Sequence, residues 1–407
     1  MNITAIIAEY NPLHLGHKYH ISKAREETSA DGLICVISGN FVQRGMPAII
    51  DKWERAKMAL ENGIDLVIEL PTLYALSSAE FFSFGAISLL NSLGIVNNIS
   101  FGSECGDINT LLKIAEVLID EPLKYKVILK DYLDKGLSYP VARSKALQDY
   151  FINFDEKFIT NDLTNILNSS NNILGIEYCK SLLSLNSTIK PYTLIREGGT
   201  YNSLTLDNCY SSATSIRNHM KQDKSFQTLS QHVTPLVFNR LNQMKDANYN
   251  FTYEDSIIPF IKHKHFTTKN TLELLPDATE GLHNKISKGL LNSETFYDLV
   301  YFAKSKRYTY SRISRILCQY FIGFDNYPTK ILRKSPCPYA RILGLNKIGA
   351  SMLKVAKKTS TIPLYTKIPA SLNEVLELDI QSTKAYSLIN KNIKPQDDYL
   401  ISPYISK

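Results

Sequence analysis

Apolar residues along the first hundred positions come in short blocks separated by longer stretches of mixed character. Ile3–Ala8, Gly32–Ile37, Leu66–Leu70 and Asn98–Phe101 are runs of four to six residues dominated by Ile, Val, Leu and Phe, the form expected of strands buried on both faces. Between them the spacing becomes helical. One such pattern runs through Lys23, a second covers Lys52–Glu61 with Asp51 placed to cap it, and a third starts at Ser77 or Ser78 and sets Ala79, Phe82, Ala86 and Leu89–Leu90 on one face. Strands alternating with helices of this length predict βαβ units with right-handed crossovers, and so an α/β fold around a parallel sheet.

Residues 107–185 read as helical, with breaks at Gly136–Tyr139 and Ser169–Asn172, and Thr188–Ile195 reads as a strand ending at Arg196, Gly198 and Gly199. A polar-capped helix starts within Ser211–Arg217. Beyond about residue 225 longer helical stretches alternate with polar loops, and 360–407 mixes short strand-like runs with Pro and Ser. This divides the chain into 1–225, carrying a helical insertion at about 107–185, and a mainly helical region 226–407.

The length, 407 residues, suits two or three domains, and 44% hydrophobic with 21% charged residues is an ordinary globular composition. The best membrane-helix candidate is interrupted by Asp65, Glu69 and Pro71. The start, MNITAIIAEYNP, lacks a basic n-region and meets Glu9 early, which predicts no signal peptide and a cytoplasmic protein. Cys35, Cys105, Cys179, Cys209, Cys318 and Cys337 are scattered without a CxxC pair and read as reduced thiols.

Charge changes the picture more through its distribution than its total of +7. From Tyr301 to Lys358 there are thirteen basic residues and the single acid Asp325, a net +12 that leaves the remainder near −5. Lys304, Lys306, Arg307, Arg312 and Arg315 are the densest part, interleaved with Tyr301, Tyr308 and Tyr310 and followed by Tyr320, Tyr327 and Tyr339. Cations beside aromatic rings are what an RNA-binding segment uses: phosphate contacts for position, stacking for unpaired bases. The other reading is a solvated basic helix with core tyrosines.

The densest chemical signal is Glu9-Tyr10-Asn11-Pro12-Leu13-His14-Leu15-Gly16-His17, directly after the first strand. Gly16 lets backbone approach a ligand, and a helix N-terminus attracts phosphate. His14 and His17 can donate to phosphate oxygens and offset charge that develops at an attacked phosphorus. Ser211-Ser212-Ala213-Thr214-Ser215-Ile216-Arg217 adds a hydroxyl-rich helix start with Arg217 one turn on, readable either as plain capping or as a second phosphate-holding loop. Cys105 reads as a packed thiol rather than a nucleophile, and His263 with His265 as surface histidines rather than metal ligands. Asn40, Gln43 and Arg44 stand equally as neighbours of a small pocket or as structural residues.

HxGH with an (S/T)-rich xxR segment resembles the nucleotidyltransferase superfamily, whose Rossmann-like (HUP) fold is shared with class I aminoacyl-tRNA synthetases. Read over whole stretches, EYNPLHLGH, SGNFVQRG, PAIIDKWERAKMALENGIDLVIELP, FGSECGD, LSYPVARSKAL, NNILGIEY, SATSIR and KRYTYSRISRIL resemble the bacterial tRNA(Met) cytidine acetate ligase family, from residue 2 to about 345. Met46 departs from the polar or acidic residue the pattern expects.

The resemblance implies an enzyme that makes acetyl-adenylate from ATP and acetate and transfers acetyl to the wobble cytidine of elongator tRNA(Met). It implies Mg²⁺ with the ATP and no obligate protein partner, and it makes His14 and His17 the catalytic pair. The ATP-binding residues it implies are Ile7, Ala8, Glu9, Tyr10, Asn11, Pro12, Leu13, His14, Leu15, Gly16, His17, Lys18, Tyr19 and His20, then Gly102, Asn171 (with Asn172 adjacent) and Arg196, to which the hydroxyl-rich helix start adds Arg217. Two other functions fit the residues: a nucleotidyltransferase adenylylating a small metabolite, which has no use for the basic segment, and a non-catalytic RNA-binding protein, which has no use for two phosphate loops.

Overall fold

The computed structural model describes residues 1–154, 163–196, 206, 211–222 and 225–406; Gly198, Gly199 and Cys209 lie outside them, as does 155–162 of the helical insertion. The chain forms two compact units, one of residues 1–98 with 197–407 and the other of 99–196.

In the larger unit the strands fall where the apolar runs predict. Ile3–Ala8 pairs in parallel with Gly32–Ser38, and Gly32–Ser38 with Leu66–Leu70, in the registers Ile3↔Gly32 and Ile34↔Leu66. The latter two strands are buried at every position, which is why they read as continuous apolar runs. Helices Leu15–Glu27, Lys52–Glu61 and Ala79–Leu93 alternate with them. Asp51 caps its helix as expected, accepting from the amides of Trp53 and Glu54 at 3.0 Å each.

The sheet also contains Ala340–Leu345, in a stretch whose pattern predicts helices and polar loops, and Tyr404–Ile405, one of the short strand-like runs expected in 360–407. Ala340–Leu345, inside the basic segment, runs antiparallel to Leu66–Leu70, and Tyr404–Ile405 joins its far side in parallel. The parallel sheet thus has an antiparallel member, and residues on both sides of 225/226 lie in one compact unit. The physical driver is visible at the junction. Glu69, the one acid in the central strands, is fully buried opposite Arg341. Lys52 Nζ reaches Glu69 at 2.7 Å and Asp398 at 2.8 Å, while Arg341 Nη1 reaches Asp398 at 2.6 Å and Glu69 at 3.4 Å. Each buried charge has an opposite partner, the condition for tolerating charge in an interior.

Asp379 lies beside this network, its carboxylate accepting from the Thr72 amide and the Tyr339 hydroxyl. Burial, with the Glu69 charge adding to it, pushes its carboxyl up to about 7. A carboxyl that binds its proton more tightly when folded stabilises the fold below the ordinary carboxylate range, and that contribution is lost as pH rises toward 7. Thermal melts of wild type should therefore decline from pH 5 to 7.5, and Asp379→Asn should flatten that decline; equal slopes would remove Asp379 as its source.

The smaller unit holds the adjacent strands Asn98–Ser103 and Lys190–Ile195 with helices Ile108–Asp120, Leu123–Asp134, Tyr139–Phe154, Leu163–Asn168 and Ser170–Ser184. The break expected at Gly136–Tyr139 is present, and that near 169–172 narrows to Ser169. Its core forms where Phe101 meets Tyr178, ring centroids 5.3 Å apart, and Gly175 lets the helix approach: a Cβ there would lie 2.7 Å from the Phe101 ring.

Candidate active site

In the larger unit the EYNPLHLGH segment leaves the first strand and turns into the helix Leu15–Glu27 with His14 as N-cap. The two imidazoles stack, centroids 3.7 Å apart and planes 26° from parallel, and Tyr10 meets His17 edge-on at 5.0 Å. The His14 amide donates to Nδ1 of His17 at 3.2 Å. An imidazole that accepts through Nδ1 carries its neutral-form proton on Nε2, so His17 presents a donor suited to a phosphate oxygen. The Leu15 amide is taken by the His232 carbonyl at 3.0 Å.

Several buried groups hold this corner. Arg55 donates to the carbonyls of Ile50, Glu9, Ser38 and Gly39, tying the loops that follow the first two strands. The Glu9 carboxylate accepts from the Gln43 amide at 2.9 Å. Asn11 is buried, its Oδ1 accepting from the Ile49 amide at 2.8 Å, whereas its Nδ2 has no partner among the described residues. An unspent buried donor in this loop suits an anionic ligand.

Arg217 is brought to the same loop: its Nη1 donates to the Asn11 carbonyl at 2.8 Å and its Nη2 to Thr214 Oγ1 at 3.1 Å. The hydroxyls before it are partly used for structure. Ser212 caps the helix Ala213–Lys221 through the Ser215 amide, and Ser211 bonds Nδ1 of His232, whose imidazole burial pushes down. The segment caps its helix, and it brings Arg217 to the carbonyl of Asn11 in the histidine loop. Asn40 is fully buried between the Lys52 amide and Thr383, a structural role, whereas Gln43 is tied to the loop through Glu9.

In the smaller unit Gly102, Asn171 and Arg196 come together. Arg196 Nη1 donates to Asn171 Oδ1 at 3.3 Å, and a Cβ on Gly102 would lie 3.0 Å from Arg196 Cγ. Glu104 locks this arrangement, its carboxylate accepting from the Asn171 amide, Asn171 Nδ2 and the Asn172 amide at 2.7–3.2 Å. Asn172 Oδ1 is spent on the amides of Glu104 and Cys105. The side chain beside Arg196 is thus Asn171. Glu104, His232 and Arg55 had no signal in the sequence beyond their presence near motifs, since each acts on backbone contributed from elsewhere.

The basic segment is less uniform than its composition. Lys304, Lys306 and Arg307 are exposed in the turn after the helix Phe296–Ala303. Arg312 is half-buried against the 277–280 loop, donating to the Asp277 carbonyl and Thr279. Arg315 corrects the expectation of a phosphate contact. It is buried, with its backbone packed against Gly45, where a Cβ would lie 2.2 Å from its nitrogen, and its guanidinium faces the Gln43 carbonyl at 3.5 Å. Tyr308, Tyr320 and Tyr339 are also buried and cannot stack on RNA.

A strand-to-helix corner with paired histidines at the first helical turn, on a mostly parallel sheet, defines a nucleotidyltransferase of the HxGH type, and the HIGH Nucleotidyl Transferase family model matches residues 1–399. Along its full length the chain is 57% identical to the tRNA(Met) cytidine acetate ligase of Clostridium novyi, covering 100% of both. It is 51% identical to that of Clostridium kluyveri, covering 100% of this chain and 99% of the relative. The fold matches crystal structures of Thermotoga maritima TmcAL, apo with a TM-score of 0.90 and bound with alpha-thio ATP with 0.89; both are 30% identical and cover 100% of this chain and 99% of theirs. The chain belongs to the tRNA(Met) cytidine acetate ligase family. No helix among the described residues is long and apolar enough to cross a membrane.

Proposed function

We propose that the protein is an ATP-dependent ligase that activates acetate as acetyl-adenylate and passes the acetyl group to the wobble cytidine of elongator tRNA(Met), forming N4-acetylcytidine. The observation that carries the reading is the stacked His14–His17 pair at a helix start in a chain alike along its whole length to ligases of that name.

In the first step a carboxylate oxygen of acetate bonds the α-phosphorus of ATP as the bond to diphosphate breaks. Acetate is already ionised at neutral pH, so this step needs no protein base. The chain's task is to align two anions and stabilise charge on the phosphates. We assign to His17 Nε2 and His14 donation to phosphate oxygens, to Arg196 and Arg217 the neutralisation of the leaving diphosphate, and to the rest of Ile7–His20, Gly102 and Asn171 the seating of the nucleotide. Arg217 also holds the loop through the Asn11 carbonyl. In the second step the cytidine N4 bonds the acetyl carbonyl carbon, AMP leaves, and N4 loses a proton. Mg²⁺ is proposed as a companion of the ATP phosphates beside Arg196 and Arg217, where it would supply further charge neutralisation. Localisation is proposed as cytoplasmic.

The test is incubation with ATP, labelled acetate and total tRNA, followed by nucleoside analysis. The expected product is labelled N4-acetylcytidine from tRNA(Met). Label confined to a metabolite or to protein, and never in cytidine, contradicts the reading.

RNA contact is assigned to the exposed Lys304, Lys306 and Arg307, with Arg312 at its margin. Lys306→Ala combined with Arg307→Ala should weaken tRNA binding and lower the slope of log Kd against log salt by about 1.5, roughly 0.7–0.9 for each phosphate no longer neutralised. An unchanged slope in filter binding across salt would take the RNA role away from this turn.

A further inference from the structure

The helix Phe296–Ala303 buries Phe296, Leu299, Val300 and Ala303 on one side, a spacing that satisfies the core. Its other side is not the polar face a solvated helix normally shows. Tyr297 and Tyr301, one turn apart, are 58% and 61% exposed, and their rings stack with centroids 5.5 Å apart and planes 23° from parallel. Lys304 Nζ lies 5.7 Å from the Tyr301 ring centre, and the exposed Lys306 and Arg307 follow in the same turn. Among the described residues none of these three cations pairs with a carboxylate. The acid on the helix, Asp298, is bonded to the Thr295 hydroxyl at 2.7 Å, and Asp255, at the helix start, is paired with Lys221 at 2.8 Å.

We propose that the stacked Tyr297–Tyr301 pair is a platform for an unpaired nucleobase of the tRNA, with Lys304, Lys306 and Arg307 holding the adjoining phosphates. This deepens the function proposed above and rests on it.

The occupant follows from the chemistry of the surface. Two near-parallel rings, on tyrosines each more than half exposed, offer a flat π-face that any base can stack on without sequence readout. Lys304 beside the Tyr301 ring, with Lys306 and Arg307 exposed in the following turn, suits the phosphates adjoining a stacked base, and cations there strengthen binding where charge is otherwise uncompensated. A purely apolar partner would leave those cations unmatched. Double-stranded RNA would offer no base face, so the platform suits a single-stranded loop.

Filter binding of full-length protein to unmodified elongator tRNA(Met) transcript, repeated across a KCl series, tests this. Tyr297→Ala and Tyr301→Ala should each weaken Kd about tenfold, the loss of one base–aromatic stack. The salt slope should stay at the wild-type value, because no charge is removed. Tyr301→Phe keeps the ring and should bind about as wild type does. Because both tyrosines are mostly exposed, the variants should melt at the wild-type temperature. Normal tRNA affinity in both alanine variants overturns the platform. So does sedimentation showing a wild-type dimer that Tyr301→Ala dissociates while tRNA affinity holds, since the face then belongs to a second copy. A wild-type protein that acetylates tRNA(Met) while the alanine variants bind normally removes the platform alone; a wild-type protein that binds no tRNA overturns the function reading itself.

Discussion

His17→Ala should lower acetate-dependent diphosphate release from ATP by about 10²–10³-fold, the usual cost of deleting one preorganised donor to developing charge. The geometry makes the residue specific. His17 has three neighbours that fix it: the His14 amide at its Nδ1, the His14 imidazole stacked on its ring, and Tyr10 in a T-shaped contact. Its Nε2 is therefore an aimed donor that costs no reorganisation. Removing the capping hydrogen bond should itself cost only about 1 kcal/mol, so the melting temperature should fall slightly and tRNA affinity should be close to wild type. His17→Asn, which can still accept from the cap, separates the two effects: it should recover stability more than rate. A His17→Ala protein with near-normal diphosphate release would mean that the stacked pair is structural.

The largest stability effect is expected at Lys52. Its ammonium sits between Glu69 and Asp398 with no exposure. Lys52→Met should destabilise the fold by about 3–5 kcal/mol, read as a lower urea midpoint, because it leaves an uncompensated buried negative charge. Adding Asp398→Asn restores the balance of one anion, Glu69, to one cation, Arg341, so the double variant should be more stable than Lys52→Met alone despite carrying two substitutions. This non-additivity is the signature of coupled charges. A loss below about 1 kcal/mol, or strict additivity, would show that the network does not hold the C-terminal strands to the sheet.

The same network explains what could and could not be read from the chain. Ile3–Ala8 and Leu66–Leu70 are visible because strands packed into the interior are apolar at most positions, and Asp51 is visible because capping is local. Ala340–Leu345 is as apolar, but it lies among lysines and arginines, and its reason for being a strand is Glu69, a residue some 270 positions earlier. Pairing at that distance leaves no periodic trace. Arg315 fails for a related reason: a charge count cannot tell a guanidinium facing water from one turned toward a carbonyl of another loop.

At the candidate site the histidine corner was legible because strand, glycine and helix start are contiguous. The choice between Asn171 and Asn172 was not, since it depends on how Glu104 and Arg196, each distant in sequence, divide the two side chains. The tyrosines divide in the same way. Composition marks six in the basic segment, while helix phase leaves Tyr301 open and adds Tyr297 from outside it.

The most direct measurement is a crystal structure of this protein with a non-hydrolysable ATP analogue. Phosphate oxygens are expected within hydrogen-bonding distance of His17 Nε2 at the start of the helix Leu15–Glu27. A nucleotide bound elsewhere, with the His14–His17 stack undisturbed and no phosphate against it, would contradict that expectation.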